Sequence, residues 1–134
     1  MNSHARTRRA EVACAETRVL VVDDDRHFRE LARHLLELDG IGVMEAESIS
    51  KGLACLRSRA GQVDAVIMDL LLPDGDGIQT MSELKTAFPG TKVVAVSGVD
   101  ASTVKICSHL GADAFLHKSR VESLPALVLR VLNR

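Results

Sequence analysis

The sequence predicts an α/β domain built on a parallel sheet with helices on both faces, and three observations carry that expectation. Five short aliphatic runs, at residues 19–22, 43–45, 65–68, 92–96 and 113–117, alternate strictly with five segments of helical periodicity. The central run lies in the stretch V-D-A-V-I-M-D-L-L-L-P-D-G-D-G at residues 63–77 and is apolar on consecutive positions, as a strand buried on both faces is. Finally, the runs end in polar residues: Asp23, Asp24 and Asp25 after the first, Asp69 after the third, Ser97 after the fourth and Lys118 after the fifth.

The first run is β-branched and aliphatic, and stops at three acids. Phe28, Leu31, Leu35 and Leu38 then recur at helical spacing, with Ala32 and Leu36 widening the stripe and Gly40 ending it. Asp25 precedes this helix at the position of an N-cap. A weaker strand at 43–45 follows, and Ser48 caps a helix carrying Ile49, Leu53 and Leu56. After the central strand, Asp74-Gly75-Asp76-Gly77 reads as a turn; a calcium loop would require a terminal Glu where Lys85 stands.

Ile78, Met81, Leu84, Ala87 and Phe88 make the third helix, closed by Pro89 and Gly90. Residues 92–96 form the fourth strand, and residues 100–111 a helix with Val104, Ile106 and Leu110 inward. The fifth strand ends at His117, and residues 123–133 form the last helix, with Pro125 in its first turn where a missing amide costs nothing. That helix is apolar around more than one face (Leu124, Leu127, Val128, Leu129, Val131, Leu132), which predicts a covering partner, a second copy or an output domain.

The chain has 134 residues, 46% of them hydrophobic, enough for one domain with a proper core. Residues 1–17 show no sustained apolar period and read as a flexible tail, leaving 18–134 as the domain. Net charge is −1, too balanced to attract a nucleic-acid backbone, and with no Trp or Tyr there is no stacking platform for single strands. Cys14, Cys55 and Cys107 are odd in number and far apart, against a disulfide framework or a zinc site. No apolar run approaches the roughly 18 residues of a membrane span, so the expectation is a cytoplasmic protein without membrane attachment.

Ligands of an open parallel sheet bind beyond the carboxyl ends of the strands, where the strand order reverses. V-V-D-D at 21–24, M-D-L-L-L-P-D-G-D-G at 68–77, V-S-G at 96–98 and G-A-D-A-F-L-H-K at 111–118 together resemble the receiver domain of bacterial two-component response regulators. The resemblance runs from residue 18 to residue 134 and implies a flavodoxin-like (βα)5 fold with strand order 2-1-3-4-5. Strands one and three are then neighbours about 4.8 Å apart, and Asp24 faces Asp69. Acids that close repel, and an oxygen-preferring cation such as Mg2+ relieves them.

The resemblance further implies a role for each residue. Asp69 is the phosphoacceptor, a carboxylate nucleophile that forms an acyl phosphate. Asp23, Asp24 and Asp69 are the Mg2+ acids, with the backbone carbonyl of Leu71 as a further ligand. Lys118 neutralises the phosphoryl group, Ser97 donates its hydroxyl to it, and small Gly98 leaves it room. Phe115 rotates as Ser97 shifts, changing the surface of the fourth and fifth strands and the helices after them. The partners implied are a sensor histidine kinase or phosphotransfer protein, a downstream protein or output domain, and a homodimer through that surface or the last helix.

The sequence departs from the family pattern after Lys118, where Ser119 replaces the usual proline; this predicts a loop more mobile or differently aimed. Ser97 stands for the commoner threonine, keeping the hydroxyl, and the apolar Leu71 and Val99 flank the expected path of attacking water.

Two enzyme classes fail on the residues. An aspartyl phosphatase of the haloacid-dehalogenase type needs a second acid two residues after its nucleophile, where Leu71 stands, and a dinucleotide-binding module needs a Gly-rich turn where Asp23-Asp24-Asp25 stands. The expectation is a signalling phosphoacceptor that catalyses at most its own phosphorylation and dephosphorylation. A phosphorylation-independent interaction domain on the same fold is the alternative.

Overall fold

All five expected strands pair in parallel, in the order β2-β1-β3-β4-β5, in a computed structural model that describes residues 17–59, 61–98 and 111–134. The strands are β1 (Arg18–Val22), β2 (Gly42–Ala46), β3 (Ala65–Asp69), β4 (Lys92–Ser97) and β5 (Ala114–His117). The helices among the described residues are α1 (Arg26–Leu38), α2 (Ile49–Ser58), α3 (Gly77–Ala87) and α4 (Leu124–Val131), the last preceded by a 3-10 helix at Lys118–Ser123. The helix expected at 100–111 lies outside the described residues, apart from Gly111.

β3 is buried at every position, Asp69 included, because helices cover both faces of the sheet. One face packs Val19, Val21, Ala65, Ile67, Val94 and Val96 against α1 and α4; the other packs Leu20, Val22, Val66, Met68, Val93 and Ala95 against α2 and α3. Register pairs Val22 with Met68 and Asp69 with Val96, so the chain leaves β1, β3 and β4 at one common rim.

The buried face of α1 is narrower than the leucine stripe suggested. Phe28, Ala32 and Leu36 are buried, whereas Leu31 is 46% and Leu38 69% exposed. A run offering apolar residues at both three- and four-residue spacing permits several faces, and docking against the sheet selects the four-residue row. In α4, Leu124, Leu127 and Val128 are buried, and Leu129, Val131 and Leu132 pack on the same core beside α1. Its many-sided apolarity is therefore absorbed largely within the domain, and the large hydrophobics left exposed among the described residues are Leu31, Leu38 and Leu71.

The segment after β5 is locally ordered. Where the lack of proline after Lys118 predicts a loop more mobile or differently aimed, residues 118–123 form a 3-10 helix with His117 as its cap: the His117 ring nitrogen Nδ1 accepts from the Ser119 amide at 3.2 Å and meets the Ser119 hydroxyl at 2.8 Å. At the start of α3, a Cβ on Gly77 would lie 2.5 Å from the Leu70 carbonyl oxygen, so only glycine lets the chain turn so closely after β3.

Candidate functional site

Four strand ends supply the site, each for a local reason. β1 stops at Asp23 because the following residues turn into α1: Asp25 caps that helix, accepting from the amides of His27 at 2.9 Å and Phe28 at 3.4 Å. The Asp25 amide in turn donates to Asp23 Oδ1 at 2.8 Å, fixing that carboxylate at the rim. β3 ends on Asp69, whose Oδ1 accepts from the Leu71 amide at 2.9 Å. The turn beyond it closes on Asp76, which caps α3 through the amides of Ile78 and Gln79. Ser97, fully buried, ends β4 one position past the partner of Asp69. Lys118 follows β5 directly.

The side chains of Asp23, Asp24, Asp69 and Lys118 converge. The acids' carboxylate oxygens come within 4.8 Å of one another, with Asp23 and Asp69 buried and Asp24 exposed. Lys118 Nζ lies 2.8 Å from Asp23 Oδ2 and 2.9 Å from Asp69 Oδ2, donating a hydrogen bond to the latter. Asp23 Oδ2 has this ionic contact but no well-directed hydrogen bond. Two buried carboxylates that share one ammonium, with a third beside them, are costly to keep ionised, and the set suits a hard divalent cation that takes oxygen ligands. The three acids thus fit a small cation on their chemistry and placement.

Burial pushes the Asp23 carboxyl above its ordinary range, and the charge of Asp69 adds to this, while Lys118 and the Asp25 amide pull the other way. Burial opposes the charge on Lys118, yet the two carboxylates outweigh it and raise the ammonium's pKa. The ammonium also stands 4.8 Å from the centre of the Phe28 ring, a cation–π contact.

The remaining expected residues lie around this centre. Leu71 is on the exposed turn after β3, 64% accessible, with its amide on Asp69. Gly98 is exposed, and a Cβ built there meets nothing within 4 Å, so the fold itself does not demand glycine. Phe115 is outside the acidic pocket: it pairs in register with Ala95 and packs half-buried against the core on the α2 and α3 side. Val99 lies outside the described residues.

Three supporting residues have roles that the sequence does not signal. In the sequence Phe28 belongs to the apolar stripe of the helix, Asp74 to a turn, and Arg29 carries no motif. Arg29 donates to the Asp23 carbonyl oxygen at 2.6 Å. Asp74 reaches the start of α2, its two oxygens accepting from Ile49 and Ser50 at 3.0 and 3.1 Å, which holds its carboxyl below the ordinary value.

The model of the response regulator receiver domain matches residues 19–129. The chain belongs to that family. The KDP operon transcriptional regulatory protein KdpE of Escherichia coli K12 is 38% identical over 103 residues, 76% of this chain and 44% of that protein, so the chain spans less than half the length of this relative. Among solved structures, a response regulator receiver domain from Clostridium thermocellum superposes with a TM-score of 0.81 at 28% identity, over 88% of this chain and 95% of that one. The BeF3-activated DrrB receiver domain gives a TM-score of 0.77 at 26% identity, over 88% and 98%. This receiver domain therefore shares the family's five-stranded sheet and presents the acidic cluster at the rim where the β1 and β3 strand ends meet.

Proposed function

We propose that this receiver domain accepts a phosphoryl group on Asp69 from a histidine kinase or phosphotransfer protein and passes the change to a downstream protein or output domain. The observation that carries the reading is the meeting of Asp23, Asp24 and Asp69 with one ammonium, Lys118. A carboxylate oxygen of Asp69 attacks phosphorus, an acyl C–O–P linkage forms, and the bond from phosphorus to the donor breaks with its electron pair leaving on the donor. The Leu71 amide on Oδ1 orients the nucleophile. Lys118, already on Oδ2, is placed to follow the incoming charge.

Asp23, Asp24, Asp69 and the Leu71 carbonyl would hold Mg2+, which when bound offsets the negative charge shared by the acids and the phosphoryl oxygens. Before any phosphate arrives, burial already makes the ionised form of Asp23 costly. Ser97, at the adjacent strand end, donates its hydroxyl to a phosphoryl oxygen, and open space at Gly98 admits the group.

One hydrogen bond to a charged group contributes roughly 1.5–3 kcal/mol, whereas carrying a two-state equilibrium from 1:99 to 99:1 takes about 5.5 kcal/mol. Ser97 cannot throw the switch alone. Transfer of Lys118 from Asp23 and Asp69 to the phosphate, together with repacking of Phe115 against β4, supplies the remainder and alters the surface around β4 and β5.

Incubation with Mg2+ and a small phosphodonor, followed by intact mass, tests this. The wild type gains one phosphoryl group and Asp69→Asn gains none. Equal labelling of both would remove Asp69 from its role, and no labelling of either would favour an interaction domain that works without phosphorylation.

A further inference from the structure

Arg29 occupies a junction that the chemistry above does not use. It sits on the first turn of α1 and is only 14% exposed at its side chain. Its guanidinium makes two contacts with different elements: NH1 donates to the Asp23 carbonyl oxygen at 2.6 Å, and Nε donates to Glu45 Oε1 on β2 at 3.1 Å. Glu45 is in turn fixed through its other oxygen by Arg33 Nε at 2.6 Å. Arg33 also meets Glu37 at 3.3 Å, so the anchoring carboxylate belongs to a network and is not a loose surface group.

The consequence lies at Asp23. Its carboxylate Oδ1 is held by the Asp25 amide, its own amide donates to the Ala46 carbonyl at 3.0 Å, and its carbonyl is held by Arg29. The peptide unit linking Asp23 to Asp24 is therefore held at its oxygen by the Arg29 side chain. A planar guanidinium with a fork of donors is suited to bridging a carbonyl and a carboxylate that lie on different strands.

We infer that Arg29 is a positioning residue for the acidic pocket: by tying the Asp23 carbonyl to Glu45 it sets the direction in which Asp23 and Asp24 present their carboxylates to Asp69. This rests on the reading of those acids as a Mg2+ site. Arg29 touches neither the metal position nor Asp69; it acts through the main chain between two acids. It also makes the pocket answerable to β2, since loss of the Glu45 anchor frees the guanidinium.

The internal control is Arg33, which holds the same Glu45 but does not reach Asp23. Titration of the full chain with MgCl2 by calorimetry should show Arg29→Met, which keeps the apolar stem, weakening Mg2+ affinity about tenfold, with Arg33→Met within twofold of wild type. Arg29→Lys, retaining the charge and one of the two contacts, should fall between; it also serves if Arg29→Met does not fold. Equal losses in the Arg29 and Arg33 variants, or none in either, would overturn the inference.

A second measurement needs no metal. Amide hydrogen exchange at Asp25, whose N–H rests on Asp23 Oδ1, should quicken at least fivefold in Arg29→Met and stay unchanged in Arg33→Met. If the wild type binds no Mg2+, the metal reading fails, and this exchange pattern still decides whether Arg29 positions Asp23. Unchanged exchange in the Arg29 variants would sink it.

Discussion

The two ends of the sheet carry similar charges and treat them in opposite ways. At the end where the strands begin, Asp113 takes Lys85 at 3.0 Å, Lys92 at 3.9 Å and the Val93 amide at 2.8 Å, while Asp64 takes the Arg18 amide at 2.8 Å and Arg134 at 3.6 Å. Each acid there has more than one donor. At the end where the strands finish, the buried Asp23 and Asp69 share one lysine, with the exposed Asp24 carboxylate beside them. Acids with their own cation stabilise a fold, and acids crowded around a shared one leave negative charge for a ligand to offset. Charge alone does not distinguish the two ends; whether each carboxylate has a cation of its own or must share one does.

The largest effects should come from deepening that imbalance. Lys118→Met leaves the clustered carboxylates without their cation, and should slow phosphoryl uptake by about a hundredfold or more, read by intact mass against time. In metal-free protein the same variant should lose about 3 kcal/mol in urea unfolding, as expected when one partner of a buried charge pair is removed. A wild-type unfolding midpoint would show that the lysine does not compensate the acids.

Added Mg2+ should act at one end only. MgCl2 at a hundred times its dissociation constant should stabilise the wild type by about 2.7 kcal/mol. An Asp113→Ala variant should gain the same increment, and Asp23→Asn a smaller one at the same concentration. Equal increments in all three would place the ion elsewhere.

Breaking the satisfied end should cost stability without touching the ion. Asp113→Ala leaves the buried Val93 amide without its acceptor and should destabilise by about 2 kcal/mol, with Mg2+ affinity by calorimetry unchanged.

The smallest effect has the opposite sign. Asp23→Asn should stabilise the metal-free domain, on the order of 1 kcal/mol, because Asp69 still pairs Lys118 and a buried charge has gone. Burial raises the Asp23 pKa above its ordinary 3.8, so the folded chain holds that proton more tightly than the unfolded chain does. The resulting stabilisation is complete below the ordinary value and is lost as pH rises through the folded one. The gap between Asp23→Asn and wild type should accordingly be widest at neutral pH and narrow as pH falls through the folded value, followed by urea unfolding across that range. A gap that widens on acidification would contradict the role of burial.

What was legible in the sequence was whatever depends on local order along the chain. Consecutive apolar residues bounded by acids and glycines placed the five strands, and helix-start signals located Asp25 and Ser48 as caps, because those features involve residues only a few positions apart. The same pattern put Asp23, Asp24, Asp69, Ser97 and Lys118 at strand ends, which in a parallel sheet is enough to bring them to one rim.

Tertiary structure decided what depends on distance in space. Which leucines of α1 face inward followed from docking on the sheet, since the sequence offered more than one apolar row. The grip of Arg29 on Asp23 and Glu45, the ring of Phe28 beside Lys118 and the reach of Asp74 to α2 join residues whose spacing in the chain carries no periodic signal. How many partners each carboxylate finds was likewise settled only by packing, because desolvation and ion pairing act through space and leave no mark on residue order.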